Sequence, residues 1–262
     1  MEPDPEPDLE TLHRKTRPDA PDGFYAVEAA GLRWLAAAEP SGGARVVRVG
    51  AVGRHHIDLE LLETAVPTAQ AAERLGRALA RTHAAGATAF GAPPLGWSGP
   101  AWIGRQRQSN RPCATWGVFY AEQRVAPFVR RAVDAGHLSV EQARVVDRAC
   151  DRIAAGEFDD DLPPARIHGD LWSGNVVFTA DGAVLIDPAA HGGHGLTDLA
   201  MLELFGFPDL ARVRAGYHEV RAVPRDWTRL LSLHQLHPLA THTASHGPSY
   251  ATSLVDAARR FA

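Results

Sequence analysis

Lysine is almost missing from this chain of 262 residues: of its 27 basic side chains, Lys15 alone is a lysine and the others are arginine. Arginine serves wherever a generic positive charge will do; one reading is coding bias that left a single lysine behind, the other a place that calls for a compact ammonium rather than a planar guanidinium. Cysteine is nearly as scarce. Cys113 and Cys150 form no CxxC pair and no metal-ligand spacing, which excludes a disulfide scaffold and agrees with a reducing cytoplasm. No glycine precedes Gly23, and no uninterrupted apolar run approaches a membrane span. The acidic, proline-rich start from Met1 to Asp8 has neither the basic nor the apolar region of a signal peptide. Excess positive charge is absent too: a net charge of -4 argues against nucleic acid or an anionic membrane as partner. A soluble, cytoplasmic protein is expected.

What is present concentrates in one stretch, His168-Gly169-Asp170-Leu171-Trp172-Ser173-Gly174-Asn175, followed by Ile186-Asp187-Pro188-Ala189. Asp170 and Asn175 stand five apart, the spacing at which an Asp accepts a hydroxyl proton and an Asn holds Mg²⁺ in phosphoryl transfer. Between Asn175 and Asp187 two apolar runs flank Ala180-Asp181-Gly182-Ala183, which reads as a β-hairpin turned by Asp-Gly and delivering Asp187 as a second metal ligand. Mg²⁺ is a hard cation that takes oxygen ligands and rides on substrate phosphates plus one or two protein groups. Asp170 is left to deprotonate an acceptor hydroxyl. His168 is expected to brace the loop through backbone hydrogen bonds. Read as turn residues alone, Gly169-Asp170 and Gly174-Asn175 would need no chemistry; Asp187 after a hydrophobic strand favours ATP-dependent phosphoryl transfer.

The first half arranges itself around that expectation. Residues 24–35 have apolar positions at helical spacing and carry Glu28, thirteen residues after Lys15. A strand lysine fixed by a helix glutamate would touch the α- and β-phosphates of ATP. Segments 45–49 and 56–62 read as neighbouring strands, and Glu60 to Glu63 as a hinge whose Glu60 and Leu62 hold adenine. A helix follows from Thr68 to Ala84, then a loop dense in glycine, proline and tryptophan over residues 90–104. Residues 116–135 and 139–155 read as helices, the second opening on a Ser139–Gln142 capping box. Further helices are expected over 197–205, 209–221, 226–239 and 249–261. His234, His237, His242 and His246 have zinc-like spacing, but no carboxylate or cysteine completes a ligand set.

These residues resemble the fructosamine (ketosamine) kinases, within the aminoglycoside-phosphotransferase-like kinases. The likeness rests on the 168–175 loop with its Trp172-Ser173 filling, on Asp187-Pro188-Ala189, and on Asp198-Leu199-Ala200-Met201 with Leu204-Phe205-Gly206. Trp102-Ile103-Gly104, Gln108, Asn110, Trp116, Phe119-Tyr120, Arg124 and the late helix around 233–239 add to it. The resemblance implies an α/β (α+β), bilobal, protein-kinase-like fold with a small N-terminally trimmed sheet lobe and a larger, mostly helical lobe. A disordered tip over residues 1–10, a lobe over 11–64 and a second lobe over 65–262 are expected. It implies ATP and Mg²⁺, with a small-molecule ketosamine or a glycated protein lysine as acceptor. Trp172 is a candidate platform for a sugar face or a cationic amine, or else a core aromatic packing the loop; Gln108 and Asn110 are candidates to bind sugar hydroxyls, or else turn residues; and Asp198 is expected to anchor the catalytic loop.

Two departures from the family pattern stand out. The glycine-rich cover over ATP is missing or replaced ahead of Lys15, which predicts weaker ATP binding or a different true start. Gly195 and Leu196 stand where an Arg-Glu pair is expected, which bears on amine recognition near the acceptor. A related kinase acting on an aminoglycoside, choline or another sugar, and a non-catalytic nucleotide- or metabolite-binding protein, are the alternatives.

Overall fold

The computed structural model describes residues 12–221 and 227–262, so the tip over residues 1–10 lies outside the described part. The chain enters on β1 (Leu12–Thr16), which carries Lys15, and turns through Gly23, at φ +83°, into α1 (Phe24–Ala36). Tyr25, Ala29, Leu32 and Leu35, one stripe of that helix, are buried. Next come β2 (Arg45–Val46), β3 (Val49–Val52) and β4 (His56–Glu60). Strand β4 is central in an antiparallel sheet ordered β1-β4-β3, with Lys15 opposite Ile57 and Val49 opposite Leu59. Segment 45–49, read as one strand beside 56–62, instead divides between two sheets. Arg45 and Val46 pair in parallel with Val184 and Leu185 of a later hairpin. Val46 and Val47 are consecutive and both buried, and a strand with one covered face would leave one of them in solvent.

Residues 61–68 cross to α2 (Ala69–Ala84), whose first turn is capped by the Thr68 hydroxyl accepting from the Ala71 amide at 3.1 Å. The stretch read as an irregular loop runs into a short antiparallel ribbon, β5 (Ala101–Ile103) and β6 (Gln106–Gln108), with Gly104 and Arg105 at its tip. The helix over 116–135 is not uniform: α3 (Trp116–Phe119) and α4 (Ala126–Asp134) are joined by a π-helical turn over Tyr120–Val125. Helix α5 (Val140–Ala154) carries both bonds of its capping box. Strand β7 (Ala165–Ile167) leads into the 168–175 loop; β8 (Val176–Thr179) and β9 (Gly182–Leu185) form the hairpin, and β10 (His191–Gly193) pairs back with β7. Thr179 faces Gly182, so Ala180 and Asp181 are the central turn residues, rather than Asp181 and Gly182.

Five helices close the fold: α6 (Gly195–Phe205), α7 (Leu210–Val220), α8 (Trp227–His234), α9 (Leu236–His246) and α10 (Ala251–Ala258). The single helix expected over 226–239 begins outside the described residues and is interrupted at Gln235. Pro238 has no N–H to return to the His234 carbonyl; the Tyr120 hydroxyl donates to that carbonyl instead, at 2.7 Å. Among the described residues no helix is long and apolar enough to cross a membrane.

Two apolar cores hold the elements. One joins α1, the sheet, the β8–β9 hairpin, α2, α6 and α7; the other joins α3, α4, α5, α9 and α10. Helices α2 and α7 meet through paired glycines. A Cβ on Gly76 would lie 1.9 Å from the Val213 carbonyl oxygen, and one on Gly216 would lie 2.1 Å from that of Glu73. Backbone is thus packed on backbone, and a methyl group can enter only if the helices separate. Gly216→Ala should therefore destabilise the protein by at least ~2 kcal/mol, read as a lowered urea midpoint; an unchanged midpoint would show that the helix pair has slack.

Candidate active site

The 168–175 loop is hung from one buried carboxylate. Asp198, in the first turn of α6, accepts the His168 amide at 2.8 Å and the Gly169 amide at 2.9 Å. It also takes His83 Nε2 at 3.1 Å, while His83 Nδ1 meets the Tyr217 hydroxyl at 2.8 Å. Burial would raise the Asp198 carboxyl, but these donors outweigh it and hold the group below the usual carboxylate range. Gly169 sits at φ +80°, where a Cβ would come within 2.5 Å of the Ala189 carbonyl oxygen, so glycine is required at this bend. His168 is buried, which lowers its pKa and keeps it neutral. Its Nε2 donates to the Ile186 carbonyl at 2.8 Å, and its Nδ1 receives the Asp170 amide at 3.3 Å. The imidazole thereby ties the loop to the end of the hairpin.

Beyond the loop the charged groups converge. Asn175 Nδ2 donates to the Asp170 carbonyl at 2.7 Å and to Asp170 Oδ2 at 3.1 Å. Lys15 Nζ lies 2.8 Å from Glu28 Oε1 and 2.7 Å from Asp187 Oδ1, so the lone lysine bridges α1 to the residue after the hairpin. Asp187 has φ +53°, a left-handed conformation that a non-glycine residue adopts at a cost. Burial opposes the charge on Lys15, but Glu28 and Asp187 overcome it and raise its pKa. Burial also lifts the Glu28 carboxyl, against the pull of Lys15. Asp170 is pushed up to about 7, chiefly by burial, with Asp187 and Asp198 adding and Asn175 opposing.

Three cavities surround this cluster. One of about 310 Å³ lies between the sheet and the hairpin, with walls that include Lys15, Val47, Leu59, Leu62, Ile186 and Asp187. A second, about 300 Å³, has Lys15, Arg17, Glu28, Asp170, Asn175 and Asp187 in its lining. The third, about 580 Å³, has Asp170, Trp172, Phe205 and Tyr250 among its walls, together with the ribbon tip and α9. Asp170 and Trp172 line both the second and the third.

Several sequence-level candidates fall elsewhere. Glu60 lines the first cavity, but its carboxylate is engaged by Arg45 at 2.5 Å and by the Arg48 amide at 3.2 Å, where it braces the β2–β3 bend. Gln108 and Asn110 line none of the three cavities. Gln108 is buried at the base of the ribbon, opposite Ala101, and the tip rather than the base reaches the cavity. Asn110 Oδ1 accepts from Arg124 Nη2 at 2.7 Å. That guanidinium is fully buried, has no carboxylate partner among the described residues, and is brought down to about 9 by desolvation. Gly195 and Leu196 are also buried and line neither Asp170 cavity; a Cβ on Gly195 would lie 2.7 Å from His83 Nδ1. Both residues thus pack behind the loop and not in the wall of either cavity. The histidines read for zinc have separate partners: His234 with Thr197, His237 with the Arg124 carbonyl, His242 with the Pro238 carbonyl and His246 with Ser245. No three His, Cys, Asp or Glu side chains converge to hold a metal among the described residues.

Sequence reasoning missed Arg105, Gln106, His242, His246 and Tyr250, all of which line the largest cavity. The Gly104-Arg105 turn between two short runs was the available signal for the ribbon; nothing local links it to α9.

A model of the fructosamine kinase family matches residues 11–261. A probable ketoamine kinase of Thermus thermophilus is 33% identical over 244 residues, 92% of this chain and 83% of that protein. The crystal structure of a candidate fructosamine-3-kinase from Thermobifida fusca superposes with a TM-score of 0.87 at 46% identity, covering 95% of this chain and 84% of that one. The gentamicin complex of the aminoglycoside phosphotransferase APH(2'')-IIa matches at a TM-score of 0.61 and 11% identity, covering 97% and 88%, a likeness of fold alone. The fold is accordingly protein-kinase-like, a small sheet part joined to a larger helical part.

The elevated pKa of Asp170 has a stability consequence. An unfolded Asp titrates near ~3.9, so the folded state carries no penalty below that value. The penalty grows as pH rises and is complete above about 7. Asp170→Asn removes it, and should raise the melting temperature at pH 8 by ~2–4 °C for each kcal/mol recovered, with the gain shrinking toward pH 5. A variant no more stable than the parent at pH 8 would contradict this environment for Asp170.

Proposed function

The chain belongs to the fructosamine kinase family, and we propose that it transfers the γ-phosphoryl group of ATP to a hydroxyl of a ketosamine sugar. The observation that carries the reading is that Asp170 stands, with Trp172, in the wall shared by two cavities, with the Lys15–Glu28–Asp187 cluster lining one and Phe205 and Tyr250 lining the other. A general base for phosphoryl transfer needs that position, within reach of the acceptor hydroxyl and beside the phosphates.

The roles follow from chemistry. Asp170, with a pKa of about 7, is poised to take the hydroxyl proton near neutral pH. Asn175 spends its amide N–H on Asp170, which both orients the base and leaves Oδ1 as a hard oxygen donor. Asp187 spends Oδ1 on Lys15 and retains Oδ2. These two oxygens, from opposite ends of the hairpin, suit Mg²⁺ carried on phosphates. When bound, the cation neutralises the charge of the transferring group. Lys15, held by Glu28, is the point charge for the α- and β-phosphates. The apolar cavity of Val47, Leu59, Leu62 and Ile186 suits an adenine ring, with the backbone of residues 60–62 as its polar edge. Trp172, 41% exposed in the cavity wall, is a face on which a sugar can rest. His168 and Asp198 act through the loop they position. The division into lobes over 11–64 and 65–262 belongs to the same reading, as does a cytoplasmic location, which suits the free thiols of Cys113 and Cys150.

Asp170→Asn should lower turnover of a fructosyl-amine by ~10²–10⁴ while ATP binding persists; wild-type kcat/KM for that acceptor should climb as pH rises through about 7. Undiminished turnover, or a flat profile from pH 5.5 to 8.5, would remove Asp170 from the mechanism. Lys15→Arg puts a planar fork where two carboxylates grip a single ammonium, and ~10-fold or more weaker ATP use is expected; an unchanged KM for ATP would show that a compact cation is not required.

A further inference from the structure

We propose that Arg105 selects acceptors whose amine half carries a carboxylate: ketoses linked to the amino group of a free amino acid, in preference to a neutral amine, a polyamine or a lysine within a protein chain. The proposal rests on the kinase reading above and names the substrate class of the same site.

The charge balance of the largest cavity carries the argument. Among the described residues lining its roughly 580 Å³, Arg105 is the one permanent cation and Asp170 the one carboxylate. A polycationic acceptor would find no second anion there once Asp170 is committed to the reacting hydroxyl. Arg105 itself is exposed at the tip of the β5–β6 ribbon and makes no ion pair among the described residues. Its position is nevertheless tied down, because the adjacent Gln106 donates from Nε2 to the Thr241 carbonyl at 3.0 Å and so fastens the tip to α9.

The other polar groups of the cavity suit hydroxyls rather than charge. His242 donates from Nδ1 to the Pro238 carbonyl at 2.7 Å, and burial lowers its pKa, so the ring is neutral with Nε2 as an acceptor. The Ser245 hydroxyl gives its proton to the Thr241 carbonyl at 2.8 Å, so its 2.8 Å contact with His246 needs the proton on His246 Nδ1. Nε2 of that ring is then an acceptor in the neutral form. The two rings stack with centroids 5.0 Å apart. Sugar hydroxyls meet acceptors and aromatic faces, and an anion on the amine half is left to Arg105. Arg105 also borders the phosphate-side cavity, but that cavity already holds Lys15 and Arg17.

The test compares kcat/KM for fructosyl-glycine with that for fructosyl-glycinamide, which keeps the size of the acid and replaces its carboxylate by a neutral amide. The parent enzyme should prefer the acid by ~10-fold or more, and the preference should narrow as salt is raised. Arg105→Gln should bring the ratio near one, and Arg105→Lys should keep part of it. A parent ratio near one, or a ratio that survives Arg105→Gln, overturns the proposal. So does an Arg105→Gln variant that loses turnover equally with both acceptors and needs more ATP, since Arg105 would then serve the phosphates. If neither compound is phosphorylated, the kinase reading fails, and thermal shifts decide the cavity separately. Stronger stabilisation by fructosyl-glycine, lost in Arg105→Gln, supports the assignment, and equal shifts end it.

Discussion

The carboxylate of Asp198 is the constraint on which the site depends. By accepting the amides of His168 and Gly169, it sets the direction in which the chain leaves β7. The position of Asp170 follows from that direction. A buried carboxylate is costly unless its lone pairs are filled, and here two backbone donors and His83 fill them. The stabilisation is local in sequence on one side and distant on the other: Asp198 lies thirty residues from His168, and His83 comes from α2. A loop held in this way is tied to the helices that carry Asp198 and His83.

Charge of the opposite kind joins the sheet to the hairpin. Lys15 contacts both Glu28 and Asp187, and Asp187 accepts a left-handed backbone to make its contact. Strain of this kind persists only where surrounding contacts over-determine it; His168, bonded to the Ile186 carbonyl, supplies one such contact. Loop, hairpin and sheet therefore share one network of hydrogen bonds, and displacement of one member is felt by the others. The elevated pKa of Asp170 is the counterpart of this arrangement: the burial that lifts it to about 7 also makes its ionised form unfavourable for the fold.

The buried Arg124 shows the same economy behind the site. Its guanidinium is satisfied by the Ser109 carbonyl, Asn110 Oδ1 and His191 Nε2, and lies over the Phe119 ring. Neutral acceptors and an aromatic face replace the carboxylate that a buried arginine usually has. Asn110 is thereby committed to structure, which is why a polar residue that read as a sugar ligand does not reach the cavity.

Local chemistry was legible from the residues themselves. The loop from His168 to Asn175, Asp187 after its hairpin, the Lys15–Glu28 spacing, the Thr68 cap and the Ser139 capping box are short-range patterns whose backbone requirements are written in residue type and spacing. Even there, the hairpin turn shifted by one residue, and the break at Gln235 needed the Tyr120 hydroxyl to stand in for the donor that Pro238 lacks. Tertiary structure alone decided which side chains meet. Arg105 and His246 are 141 positions apart and share a cavity wall, whereas Gln108 and Asn110, close in sequence to Arg105, do not. Three positions along the chain move a side chain from the ribbon's tip to its base, and a helix brings its residues to a site only through the packing of its apolar face. Sequence periodicity specifies that such a face exists; the element that covers it, and so the chemistry assembled beside it, is chosen by the packing of the whole chain.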